Sequence, residues 1–105
     1  MPLNKISSAF AGNASERPEY VNCIVLAAST AEAFTVPLNA KSVLLTGNYD
    51  FYANFTTTAA IPTTEISNGT SPILINSPRL IKIGDATSIS VICDVACTLT
   101  AEFYK

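Results

Sequence analysis

The stretch Lys41-Ser42-Val43-Leu44-Leu45-Thr46-Gly47-Asn48-Tyr49-Asp50-Phe51-Tyr52-Ala53-Asn54-Phe55 decides the fold class. It reads as two strands joined at Gly47-Asn48, a dipeptide suited to a type II′ hairpin because glycine takes positive φ without a Cβ clash. At period two, Tyr49, Phe51, Ala53 and Phe55 share one face of the second strand, and Asp50, Tyr52 and Asn54 share the other. The aromatics on one face form the densest apolar cluster of the chain, so the core is expected to condense here.

Working outward, the same grammar recurs. Upstream, Tyr20 to Ala27 is β-branched and almost unbroken in apolar character, the pattern of a strand covered on both faces or lying centrally in its sheet. Ala31 to Val36 alternates, with Ala33 and Thr35 opposite Phe34 and Val36, and Pro37 ends it. Downstream, Ile73 to Ile75 and Leu80 to Ile83 predict short strands. Ser88 to Cys93 and Cys97 to Tyr104 predict a second hairpin around Asp94-Val95-Ala96. About eight strands separated by Gly, Pro and Asn, with no helical period, argue an all-β antiparallel sandwich or jelly roll. Residues 20–105 are expected to form that single domain, with residues 1–19 as an extended N-terminal arm.

Two segments carry apolar residues without strand pattern. The arm holds Leu3, Ile6 and Phe10, and the connection from Thr56 to Pro72 holds Ile61 and Ile66. That connection is longer than the roughly 4 to 6 residues usual between elements, so something must hold it. Either it tucks back onto the sandwich or it meets another subunit. Leu3, Ile6, Phe10, Ile61 and Ile66 are therefore the candidate contact residues.

Composition restricts the chemistry. The 105 residues include 13% charged side chains and carry a net charge of -2, which leaves no basic field for nucleic acid. No run is long and apolar enough to span a membrane, and the N-terminus has no basic region followed by an apolar stretch, so synthesis in a reducing cytoplasm is expected. Histidine is absent, which removes Ser-His and Cys-His pairs. Cys23, Cys93 and Cys97 are odd in number and fit buried free thiols. A Cys93 to Cys97 bridge, or a zinc site completed by a carboxylate, is the alternative. Glu16, Glu19, Glu32, Asp50, Glu65, Asp85, Asp94 and Glu102 supply carboxylates for a glycosidase pair only if the fold brings two together; their place at strand ends and turns suits solvation instead. The Asn13, Asn54 and Asn68 glycosylation patterns are chance products of an Asn- and Thr-rich chain. Tyr52 and Tyr104, beside Asp50 and Glu102, are read as cross-strand pairs or as a sugar-stacking platform. No enzyme activity, metal or cofactor is expected.

The runs Ala33-Phe34-Thr35-Val36-Pro37, Lys41-Ser42-Val43-Leu44-Leu45, Thr46-Gly47-Asn48-Tyr49-Asp50-Phe51-Tyr52-Ala53, Thr58-Ala59-Ala60-Ile61-Pro62, Asn68-Gly69-Thr70, Asn76-Ser77-Pro78-Arg79 and Ala101-Glu102-Phe103-Tyr104 resemble small virion proteins of tailed bacteriophages. The resemblance covers about residues 28 to 104. It implies a capsid decoration or cement protein on the virion surface, with the major capsid protein as partner and a homotrimer as the favoured oligomer. A carbohydrate- or receptor-binding module of a virion fibre or tail is the alternative.

Overall fold

A computed structural model describes residues 17–105. Leu3, Ile6 and Phe10, with most of the expected arm, lie outside the described residues. The strands are β1 (Tyr20–Leu26), β2 (Glu32–Thr35), β3 (Ser42–Gly47), β4 (Phe51–Asn54), β5 (Ile73–Ile75), β6 (Arg79–Lys82), β7 (Ser88–Ile92) and β8 (Cys97–Tyr104). No helix occurs among the described residues, so the all-β expectation holds.

The strands make two four-stranded antiparallel sheets. Sheet I has the order β1-β8-β3-β6 and sheet II the order β2-β7-β4-β5. The pairs β1 with β8, β2 with β7, β3 with β6 and β4 with β5 run the first half of the chain antiparallel to the second. Winding that ribbon brings β3 beside β8 and β4 beside β7. The result is an eight-stranded sandwich whose pairing follows the jelly-roll scheme.

Both expected hairpins are corrected by this winding. β3 and β4 lie in different sheets, as do β7 and β8. Gly47 is not a turn residue: it stands in the ladder opposite Leu99. Asn48 then prolongs the same ladder, its N–H donating to Thr98 O at 3.1 Å while Thr98 N–H donates to Asn48 Oδ1 at 2.9 Å. With β8 already occupying that edge, β4 cannot fold back on β3. Tyr49 and Asp50 carry the chain across the roughly 10 Å between packed sheets. The expected turn at Gly84-Asp85 is present, with Gly84 at φ 66° and Ala86 N–H donating to Ile83 O at 3.4 Å.

The core lies between the inner faces. Sheet I contributes Ile24, Leu26, Val43, Leu45, Leu99, Ala101 and Phe103, and sheet II contributes Phe51, Ala53, Ile75, Ile89 and Val91. Phe51 and Ala53 are buried as expected, but Tyr49 is 58% exposed and Phe55 only half-buried. Strand β4 spans only Phe51–Asn54, so the face expected to run from Tyr49 to Phe55 is cut short at both ends.

The long connection covers part of the outside of sheet II, while Leu74 on the same face stays 41% exposed. Ser90 alternates outward between inward Ile89 and Val91, and its Oγ accepts Ala59 N–H at 2.9 Å. Ala59 is buried there, together with the outward Ile92 and Asn54. Asn54 Oδ1 starts the connection by accepting Thr56 N–H at 2.9 Å and Thr57 N–H at 3.0 Å, an Asx-type turn. Of the two expectations for this segment, the tuck onto its own sandwich is the one observed at Ala59. Ile61 is half-buried and Ile66 remains 39% exposed.

Candidate functional site: the outer face of sheet I

Among the described residues, no segment covers the opposite side of the sandwich in this way. In β1, Ile24 and Leu26 point inward, so Val21, Cys23 and Val25 point out, and all three are exposed. In β8, alternation with the buried Cys97, Leu99, Ala101 and Phe103 sends Thr98, Thr100, Glu102 and Tyr104 outward. Ser42, Leu44 and Thr46 of β3 and Leu80 and Lys82 of β6 complete the face.

The register arranges these side chains in rows. Val21 stands beside Glu102, Glu102 beside Leu44, and Leu44 beside Leu80. In the neighbouring rows Cys23, Thr100 and Thr46 line up, and Val25 stands beside Thr98. Val21, Val25 and Leu80 are 54%, 72% and 63% exposed. A solvated antiparallel face normally alternates to polar residues. Among the described strand residues this one presents Val, Cys, Leu and threonine methyl groups, with Glu102 the only carboxylate and Lys82 the only cation. Glu102 also acts on its neighbour: the Tyr104 phenol is raised, by burial first and then by the Glu102 charge.

Residues expected to carry chemistry do not converge. Cys93 and Cys97 are free and buried in the core region, whereas Cys23 is free and exposed on the outer face of sheet I, so burial of all three thiols is corrected. The same separation rules out a site built from all three, and no group of His, Cys, Asp or Glu able to hold a metal occurs among the described residues. Tyr52 points out of sheet II and Tyr104 out of sheet I, so the two rings lie on opposite sides of the sandwich. The sugar-stacking platform built from both is therefore corrected. Glu19, Glu32, Asp50, Glu65, Asp85 and Asp94 are exposed, and Glu102 is half-buried.

The face did have a sequence signal. The unbroken apolar run of β1 announces a strand covered on both sides or central in its sheet; β1 is an edge strand, which corrects the second reading, and among the described residues it is covered on one side only. No protein-family model, curated protein or solved structure gives a significant match to this chain.

Proposed function

We propose that this chain is a structural protein of a virion, a capsid decoration or cement protein of a tailed bacteriophage that acts by binding across capsid subunits. The observation that carries the reading is the asymmetry of the sandwich. Sheet II is covered in part by the chain's own 55–72 connection, at Ser90 and Ala59, while among the described residues sheet I presents Val21, Val25, Leu44 and Leu80 with little charge. Exposed apolar faces rimmed by polar residues are characteristic of protein docking sites. The resemblance over residues 28 to 104 supplies the kind of partner, the major capsid protein, and favours a homotrimer.

A cement protein performs no reaction. Its work is binding free energy, which has to be overcome before a shell under internal pressure can open. A sandwich with one face open among the described residues suits that task, because little side-chain entropy is lost when Val and Thr of a preformed sheet are covered. Ile66, exposed on the connection, is a second contact point of the same proposal; Ile61, half-buried, is mostly committed to the chain itself.

The test is addition of the purified full chain to the shells with which it is produced, followed by electron microscopy and sedimentation binding. Density at regular positions on the shell, lost for Val25→Asp and Leu80→Asp variants that keep the wild-type urea midpoint, is the expected result. Wild-type chain that finds no site on the particle, or aspartate variants that bind as well as wild type, would overturn it. Light scattering of the free chain distinguishes a preformed trimer from one assembled on the shell.

A further inference from the structure

We infer that the free edge of β1 pairs antiparallel with β1 of a second copy of this chain, about a twofold axis at Cys23. The two copies of sheet I then join into one continuous sheet of eight strands. The inference does not rest on the decoration reading, because it concerns the edge of sheet I and not its outer face.

A sheet edge offers a row of unpaired N–H and C=O groups, and native edges are guarded by shortness, charge, proline or a bulge. Four strands are edges here, β1 and β6 in sheet I and β2 and β5 in sheet II. β5 has only three residues. β6 has four and carries Arg79 and Lys82 at its ends, and β2 has four and opens on Glu32. Those three edges are guarded, and β1 is not. It runs seven residues, Tyr20–Leu26, without a charged side chain, proline or glycine. It pairs with β8 through consecutive partners from Tyr20 to Leu26, with no bulge. Among the described residues no strand lies on its other side. Such an edge is a template for a further strand.

The sequence of the strand selects the occupant. With Cys23 on the twofold axis, antiparallel pairing sets Val21 opposite Val25 of the second copy, Asn22 opposite Ile24, Tyr20 opposite Leu26, and Cys23 opposite its own counterpart. No like charges meet, since the strand carries none. A twofold perpendicular to the sheet keeps both outer faces on one side, so the exposed Val21 and Val25 of each copy gain a β-branched neighbour across the junction. The contact also ends itself. It uses the unguarded edge of both copies, and the joined sheet then stops at β6 on either side, where Arg79 and Lys82 stand. An isologous contact of this kind closes at a pair and does not propagate into a fibre.

Light scattering of the full chain in reducing buffer, over a range of concentrations, should reach the mass of two chains, or of six where trimers form as well. A mass of one or three chains at every concentration would overturn the pairing. The register is read separately. Residues directly opposite on antiparallel strands have Cα atoms about 4.5–5.5 Å apart, within the roughly 4.4–6.8 Å that a disulfide spans. Mild oxidation in air with copper phenanthroline, which takes two electrons and two protons from the pair of thiols, should therefore yield a covalent dimer that Cys23→Ser abolishes. A chain that associates without giving this dimer, or that gives as much of it when unfolded in urea, would overturn the twofold at Cys23. Cys23→Lys sets two ammonium groups opposite each other and should weaken association about tenfold or more. Leu80→Asp, on the outer face at the far edge of the sheet, should leave association unchanged; equal loss in both variants would move the contact from the edge to the face and overturn the inference. The cross-link needs no substitution, so it decides the register even where the lysine variant fails to fold.

Discussion

The Phe34 ring meets the Phe103 ring edge-on, with centroids 6.2 Å apart and planes at 75°. β2 belongs to sheet II and β8 to sheet I, so this contact crosses the sandwich. Tyr20 meets the same ring at 6.2 Å and 72°, which leaves Phe103 held between two aromatic edges. Phe103→Ala is expected to cost about 3–5 kcal/mol by urea unfolding, as for other fully buried phenylalanines. A double-mutant cycle with Phe34→Ala should yield a coupling of about 0.5–1.5 kcal/mol. Strict additivity would show that the rings share space without a specific edge contact.

Gly47 is required for room. A Cβ added there would fall 2.9 Å from Cε1 of Phe51, 3.0 Å from its Cδ1 and 3.1 Å from Tyr49 O. Phe51 is fully buried and its ring has nowhere to go. Gly47→Ala should therefore destabilise by about 1–3 kcal/mol, the usual range for overpacking. In a Phe51→Leu background the penalty should shrink, because the clashing ring atoms are gone. A penalty unchanged by Phe51→Leu would point to backbone conformation instead.

Gly47 shows what was legible in the sequence and what was not. Period-two alternation located the strands, down to Ile73–Ile75 and the Phe34 and Val36 face, because which side of a strand is apolar is a local property. Pairing is not local. Gly47-Asn48 has the composition of a hairpin turn, yet β8, arriving some fifty residues later, takes the edge that β4 would have used. The same holds for Asp94-Val95-Ala96. The open face of sheet I was half legible: the continuous apolar run of β1 announced either cover on both sides or a central strand, and only the strand order shows that β1 is an edge strand and that Val21, Leu44 and Leu80 fall in one row.

Ser90 fastens the long connection to sheet II. Its Oγ is the acceptor for the buried Ala59 N–H at 2.9 Å. Ser90→Ala leaves that donor without a partner, at a cost of about 1–3 kcal/mol. Hydrogen exchange should accelerate first at Ala59, with the amides of β3 and β8 unchanged under conditions far from global unfolding. Uniform acceleration across all strands would show that the connection opens only with the whole sandwich.

The thiols supply a prediction with a sign. Cys97 is pushed up to about 12, by burial first, then by its hydrogen bond with Cys93, then by the Cys93 charge. Burial of Cys93 and Cys97 and exposure of Cys23 mean that a thiol reagent should label Cys23 alone in the native chain. In the folded state Cys97 keeps its proton at pH values where the unfolded chain, with a thiol at its ordinary 9.0, has released it. The raised value therefore stabilises the fold fully below pH 9.0, and that contribution is lost as pH rises toward about 12. Urea midpoints measured across this alkaline window should fall for the wild type. Tyrosines also titrate there, so the comparison is with Cys97→Ala, whose decline should be shallower whatever its starting stability. Parallel declines for the two proteins would mean that the Cys97 thiol is not held protonated by the fold.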